Sequence, residues 1–237
     1  MPKSDHRALA PAYFVTGTDT EVGKTHITCA LLWRARQDGL SAVGLKPVAA
    51  GTDASGSNED VAAIRACNTL DLPPEILNPY CFAPPIAPHI AAAEAGVEID
   101  FSVIAHAAEN ARRQADWVLV EGAGGFCVPL GADRDSADLA VHLGLPVILV
   151  VGMRLGCINH ALLTAEAIAV RGLLLAGWVA NRVDPAMARF EENLQALRER
   201  LDAPLLGVVP FDPDSGRAAA HLTLPGDLER EDASHFA

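Results

Sequence analysis

Residues 17 to 25 read Gly17-Thr18-Asp19-Thr20-Glu21-Val22-Gly23-Lys24-Thr25 and follow the apolar run Tyr13-Phe14-Val15. A helical pattern from Thr25 to Asp38 comes next. This order, strand then glycine-bounded turn then helix, reads as a phosphate-binding loop. Backbone N–H groups of such a turn point inward and cradle phosphate oxygens, and the helix adds the positive end of its dipole. Lys24 is placed to reach β- and γ-phosphates, and the Thr25 hydroxyl to sit on Mg²⁺. The usual loop has four residues between its glycines, whereas Thr18 to Val22 makes five. Either the loop is one residue longer or Thr18 takes the first glycine's place. Asp19 and Glu21 would repel phosphate if they faced it, so they are expected to turn outward or to meet a metal through water.

A loop of this kind needs a parallel sheet behind it, and the rest of the chain supplies the pattern. Apolar runs without polar alternation fall at Ala12–Val15, Ala42–Lys46, Trp117–Val120, Val147–Val151, Leu174–Ala180 and Leu205–Val209. Strands buried on both faces read this way. Between them the spacing predicts helices over Lys24–Gln37, ended by Gly39, and over Glu59–Cys67, capped by Asn58 or Ser57. Further helices are predicted over Phe101–Gln114 after Asp100, Ala137–Leu143 after Ser136, and His160–Val170 after Asn159. A last one is predicted over Pro185–Leu201, with Asp184 as cap and proline in the first turn. The alternation predicts an α/β fold, a doubly wound, mainly parallel sheet with helices on both faces, binding ligands at the carboxyl ends of its strands. Residues 1–237 read as one domain with its core at about 12–211. Leu70 to Pro88, with six prolines, reads as an ordered surface excursion, and Asp212 to Ala237 as a loose polar tail.

Composition narrows the partners. The 30 acidic residues outnumber the 18 basic ones and give a net charge of −12, with no basic run, which argues against nucleic acid or an anionic membrane. Cys29, Cys67, Cys81, Cys127 and Cys157 are scattered without a Cys-x-x-Cys, so neither a disulfide framework nor a zinc site is expected. The first twelve residues lack the apolar core of a secretory signal, and the longest apolar stretch, Leu143 to Met153, is too short to span a bilayer. A soluble cytoplasmic protein is the expectation.

Chemistry-bearing residues gather at the ends of the apolar runs. Lys46, in Lys46-Pro47-Val48-Ala49-Ala50-Gly51, is a second cation for the triphosphate or for an anionic substrate. Glu121 closes the run Trp117–Val120 and stands where phosphate-loop proteins hold Mg²⁺, with Gly122-Ala123-Gly124-Gly125 letting backbone approach a ligand. Asp60 lies in a first helical turn, where an acid also simply favours the dipole. Asn181 ends Val179-Ala180-Asn181-Arg182, and its amide suits either a purine edge or a turn. Gly156-Cys157-Ile158-Asn159-His160 offers free N–H groups for a carboxylate or is an ordinary cap. His160 reads as structural or solvent-facing. No Ser-His-Asp set and no His-x-x-x-His appears, so the reaction is expected to come from ATP, metal and lysines.

Together these segments resemble the dethiobiotin synthetase family. The resemblance is carried by Tyr13 to Thr25, Gly44-Leu45-Lys46-Pro47-Val48-Ala49, Asn78-Pro79-Tyr80, Pro88-His89-Ile90, Ala115 to Gly125, Leu145 to Gly152, Leu155 to Ala161 and Leu175 to Asn181. The long loop and the Gly-Cys-Ile-Asn-His segment are that family's own. It implies a homodimer that uses ATP, Mg²⁺, CO₂ and 7,8-diaminopelargonate. It implies that Lys24 and Lys46 act on carbamate and γ-phosphate, and that Thr25, Asp60 and Glu121 hold Mg²⁺. ATP would lie on Glu21, Val22, Gly23, Lys24, Thr25, His26, Asp60, Glu121, Gly122, Ala123 and Gly124. Asn181, Arg182, Val209, Pro210 and Phe211 would hold adenine. Substrate would meet Thr18, Lys46, Ala50 and the N–H groups of Cys157, Ile158 and Asn159, the last three from the partner subunit. Ala50 departs from the family, which has Ser there, so one hydroxyl contact to the carbamate is lost or supplied elsewhere. The alternative is a phosphate-loop ATPase switch of the partitioning or division-site kind. Those proteins carry an extra Lys early in the loop, where this chain has Thr18.

Overall fold

In the computed structural model, residues 9–226 are described. The strands are β1 Ala12–Gly17, β2 Ala42–Leu45, β3 Val48–Ala50, β4 Tyr80–Phe82, β5 Trp117–Glu121, β6 Val147–Gly152, β7 Leu175–Asn181 and β8 Leu205–Val209. The helices are α1 Lys24–Gln37, α2 Glu59–Cys67, α3 Pro74–Leu77, α4 Pro88–Glu94, α5 Phe101–Gln114, α6 Ser136–Leu143, α7 Cys157–Val170, α8 Phe190–Arg198 and α9 Ser215–Ala218, followed by a 3₁₀ turn at Ala219–His221. Six strands form one parallel sheet in the order β2-β5-β1-β6-β7-β8, and β3 pairs with β4 in a small parallel sheet of its own. The strand order turns around at β1, which lies between β5 and β6. The phosphate loop therefore leaves the sheet at the crevice where ligands settle in doubly wound folds.

Successive residues of β1 point to opposite faces. Val15 packs with Ile27, Leu31 and Leu32 of α1, alongside Leu119, Ile148, Val150 and Val179. Phe14 turns to the other side, with Val118 and Val120 against Ile104, Ala108 and Ala111 of α5 and Ala137 and Ala140 of α6. Further along that side, Leu149, Val151, Trp178 and Ala180 meet α7 and α8. Each large apolar side chain buried this way contributes about 1.5–3 kcal/mol. The register then aligns the strand ends: Val15 stands opposite Glu121, Gly17 opposite Val150, and Asn181 opposite Gly152 and Val209. Among the described residues no helix is long and apolar enough to cross a membrane, and none of the five cysteines is in a disulfide.

Several expectations are corrected. α8 begins at Phe190, not Pro185, because Arg189 takes a left-handed conformation (φ 57°) that breaks the turn begun at Asp184. α7 begins three residues early, at Cys157, with Gly156 as its cap (φ 96°). α6 is capped by Asp135, whose carboxylate accepts from the Asp138 N–H while Asp138 accepts from the Asp135 N–H. The proline-rich excursion gains α3, β4 and the start of α4. Residues 212–226 are no loose tail. Ala218, Leu222 and Leu224 are buried against the α1 face, and Leu222 bridges Gly207. The rest of that segment, 227–237, lies outside the described residues.

Candidate active site

The loop answers its own spacing puzzle. A Cβ built on Gly17 would lie 2.6 Å from the Val22 side chain, and one on Gly152 2.7 Å from it. Val22 thus plugs the loop into the gap between β1 and β6, and is 1% exposed. Gly17 is the first glycine and the loop is one residue longer; Thr18 replaces nothing, and its hydroxyl accepts from the Gly152 N–H at 3.4 Å. The Asn181 amide donates to the Val22 carbonyl at 2.9 Å, so its nitrogen is engaged in holding the loop. Gly23 needs its φ of +83°, and a Cβ there would fall 2.2 Å from that same nitrogen. Glu21 turns outward, also with positive φ (59°). Asp19 faces away toward Arg154, with Oδ2 2.8 Å from the guanidinium.

Behind the loop lies a charge cluster. Lys46 Nζ donates to Glu121 Oε1 at 2.6 Å, meets Asp60 Oδ2 at 3.0 Å, and reaches the Gly122 carbonyl at 3.4 Å. The Thr25 hydroxyl donates to the same Glu121 oxygen at 2.7 Å. Lys24 Nζ donates to the Asp19 carbonyl at 3.1 Å. Burial lowers the Lys24 pKa and the Lys46 ammonium adds to that, against Glu121, Asp60 and Asp19. Burial acts on Lys46 the same way, but Glu121 and Asp60 outweigh it and raise its pKa. Burial works upward on Asp60, yet Lys46 attraction leaves its pKa lowered. Two buried ammonium groups side by side suit an oxyanion.

The donor set fits Mg²⁺. Thr25 Oγ1, Asp60 and Glu121 supply hard oxygens, and Glu121 Oε2 is buried with no hydrogen-bond partner among the described residues. No group of three or more His, Cys, Asp or Glu among the described residues is arranged for a metal.

Lys46 is placed by residues whose role the sequence did not reveal. Its N–H bonds the Leu77 carbonyl at 2.9 Å, and its carbonyl accepts from the Asn78 side chain at 2.5 Å. The Asn78-Pro79-Tyr80 stretch thus grips the backbone of the strand-end lysine. Asn58 caps α2 through its oxygen and donates through its nitrogen to the Gly51 carbonyl at 2.6 Å, tying Asp60's helix to the Ala50-Gly51 turn. Ala50 ends β3 with a methyl group and so offers no side-chain hydrogen bond. Gly122 packs edge-on to Phe14, where a Cβ would lie 3.0 Å from the ring, and Gly124 has φ +65°. Ala123 lies half-buried between them.

Beside the loop a pocket of about 540 Å³ is lined by Glu21, His26, Asn181, Arg182, Val183 and the segment Pro210 to Pro213. His26 Nε2 is buried there without a partner among the described residues, and burial lowers its pKa against the pull of Asp212 and Asp214. Phe211 stays largely exposed, and Val209 is buried beneath, its carbonyl accepting from the Arg182 N–H at 3.0 Å. The Arg182 guanidinium leans the other way, over the Phe190 ring, and donates to the Pro185 carbonyl. Apolar walls with an aromatic edge suit a nucleobase. His89, from the Pro88-His89-Ile90 motif, lines a separate cavity of about 480 Å³ with Glu98 and Arg134. At the start of α7, the Cys157 N–H is taken by the Arg154 carbonyl at 3.0 Å. The rest of that first turn carries the N–H groups that every helix start leaves without intrahelical partners.

Comparison with known proteins agrees with this geometry. The family model described as AAA domain matches residues 11–219. The ATP-dependent dethiobiotin synthetase of Aromatoleum aromaticum is 63% identical over 220 residues, 91% of this chain and 98% of that one. Its counterpart in Nitrosospira multiformis is 56% identical, over 86% of this chain and 90% of that one. Among solved structures, a ParA family ATPase from Chlorobium tepidum aligns with a TM-score of 0.54 at 11% identity, over 89% of each chain. The MinC:MinD cell division complex of Aquifex aeolicus aligns with a TM-score of 0.52 at 15% identity, over 94% of this chain and 90% of that one. At such identities the likeness to ParA and MinD is one of fold alone.

Proposed function

This chain belongs to the ATP-dependent dethiobiotin synthetase family, and on that premise we propose how its residues divide the work. It is an ATP-dependent ligase that forms carbon–nitrogen bonds. One amine of 7,8-diaminopelargonate adds to CO₂ and loses a proton, giving a carbamate. The carbamate oxygen attacks the γ-phosphorus and ADP leaves. The second amine then attacks the carbonyl carbon, phosphate departs, and the cyclic urea of dethiobiotin closes.

The observation that carries the residue assignment is the pair of buried lysines at one strand-end rim. Lys24 and Lys46 face the place where carbamate and γ-phosphate oxygens must meet, and they counter the charge that gathers there. Thr25, Asp60 and Glu121 would hold Mg²⁺, which when bound neutralises β- and γ-phosphate charge. The loop from Glu21 to His26 and the backbone of Gly122, Ala123 and Gly124 cradle the triphosphate. His26, Asn181, Arg182, Pro210 and Phe211 line the place for the base, and Val209 supports them from beneath. Thr18 and Ala50 contact the substrate, and the first turn of the partner subunit's α7 meets its carboxylate through the N–H groups of Ile158 and Asn159, the Cys157 N–H being held by the Arg154 carbonyl. The partition-type switch has in its favour only a shared fold.

A homodimer is part of the same reading. Leu155, Leu163, Val170 and Leu174 are 93%, 57%, 79% and 68% exposed along and beside α7. Leu163 and Val170 are seven apart and so share a helix face. An apolar stripe of this kind marks a protein interface. Leu163→Glu with Val170→Glu is expected to shift the protein from dimer to monomer in sedimentation; an unchanged dimer would put the interface elsewhere. A cytoplasmic setting follows from the biosynthetic role.

The test of the reaction is a mass-resolved assay with Mg-ATP, bicarbonate and 7,8-diaminopelargonate. ADP and dethiobiotin are expected together, and only when both diamine and bicarbonate are present. ADP formation indifferent to the diamine would overturn the assignment.

A further inference from the structure

Asp19 sets a carboxylate inside a loop that receives a triphosphate, and the same residue organises that loop. Its carbonyl accepts from Lys24 Nζ at 3.1 Å, and its Oδ1 accepts from the Thr20 N–H at 2.8 Å. Its remaining oxygen, Oδ2, lies 2.8 Å from Arg154 Nη2. Arg154 is itself fixed on both sides. The preceding Met153 is fully buried, with its N–H on the Asn181 carbonyl at 2.8 Å, and the Arg154 carbonyl accepts from the Cys157 N–H at 3.0 Å. The arginine therefore comes from the strand end that also feeds α7, and reaches across to the loop.

We propose that Arg154 is a positioning residue for ATP: it neutralises Asp19 and turns its carboxylate away from the phosphates, which leaves the Asp19 carbonyl set to aim Lys24. The inference rests on the reading of this loop as the ATP site. Without the guanidinium, a free carboxylate would stand one side chain away from the cation that meets the phosphates. Repulsion over such distances is long-ranged and is screened by salt. Arg154 acts through Asp19, so the need for it disappears when the acid does. An arginine that bound phosphate directly would be needed whatever stood at position 19.

A double-mutant cycle separates the two. Affinity for a non-hydrolysable ATP analogue with Mg²⁺ is measured by calorimetry, without diamine, at low and high salt. Arg154→Gln is expected to weaken binding roughly tenfold at low salt and less at high salt. Asp19→Asn, which keeps the oxygen that accepts from Thr20, is expected to bind at least as tightly as the parent. The double variant should return to the Asp19→Asn level, and Arg154→Lys should retain most of the affinity. In turnover, Arg154→Gln should raise KM for ATP and leave kcat nearly unchanged. A double variant as weak as Arg154→Gln alone, or an Arg154→Gln that binds like the parent, overturns the proposal. Because the readout is nucleotide binding, neither result bears on which substrate is carboxylated.

Discussion

Lys46→Ala is expected to lower turnover by about a hundred- to a thousandfold, the usual loss when one donor to a developing oxyanion is removed. Nucleotide binding should survive, since Lys24 and the loop backbone remain. The fold should survive too, but not untouched. Lys46 is 4% exposed and pairs with Glu121, which is 1% exposed. Removing one partner of such a pair costs about 3–5 kcal/mol, because the other charge is left buried. Half-exposed Asp60 adds less. The nucleotide-free variant should therefore melt several degrees lower than the parent, and Mg-ATP should restore part of the difference. Lys46→Met keeps the volume and discards the charge, so a melting point close to that of the Ala variant would assign the loss to electrostatics. Steady-state turnover with thermal melts in both states checks this. Near-parental turnover in either variant would remove Lys46 from the chemistry.

Gly23→Ala is expected to weaken nucleotide binding more than about a hundredfold with a far smaller effect on the folded state. Two faults coincide at this position. A left-handed conformation costs an alanine about 1–2 kcal/mol. Its Cβ would also lie 2.2 Å from Asn181 Nδ2, which must move and release the Val22 carbonyl. A loop unpinned at Val22 no longer presents its N–H groups together. The measurement is the thermal shift induced by an ATP analogue. The parent should rise with ligand, and Gly23→Ala should start a few degrees low and not respond. Asn181→Ala removes the clash and the pin at once, so adding it to Gly23→Ala should not bring the response back. A normal ligand-induced shift in Gly23→Ala would mean that the loop re-forms around the methyl group.

The frame of the fold was legible because its signals are local. Strands buried on both faces read as unbroken Val, Leu and Ile runs, and α1, α2 and α5 end where their patterns end. The meeting of the candidate site residues was legible for a related reason: Lys46, Glu121 and Asn181 all stand where an apolar run stops, and a parallel sheet brings such ends to one rim. What escaped was non-local or hidden in backbone conformation. Arg189 carries no turn signature, so nothing warned that α8 starts late. Asn78 lies 32 positions from the carbonyl it holds, a separation no periodicity spans. Arg154 lies 135 positions from Asp19, and no local pattern singles it out. Leu222 and Leu224 are spaced like a strand but sit in a polar stretch, and it is the docking against α1 that buries them.

The wall of the pocket beside the loop has a consequence for the order in which the protein comes into being. A ribosome delivers the phosphate loop first and the segment Pro210 to Pro213 near the end, and the 3₁₀ turn and Leu222 that clasp this segment to α1 and β8 come later still. Val22, however, meets Gly152 and Asn181 only once β6 and β7 have been made, so the loop is set late and the wall of the neighbouring pocket is added later still. Tight retention of nucleotide should begin only when synthesis is almost complete, which makes the ligand a late consolidator of the fold and not a template for it.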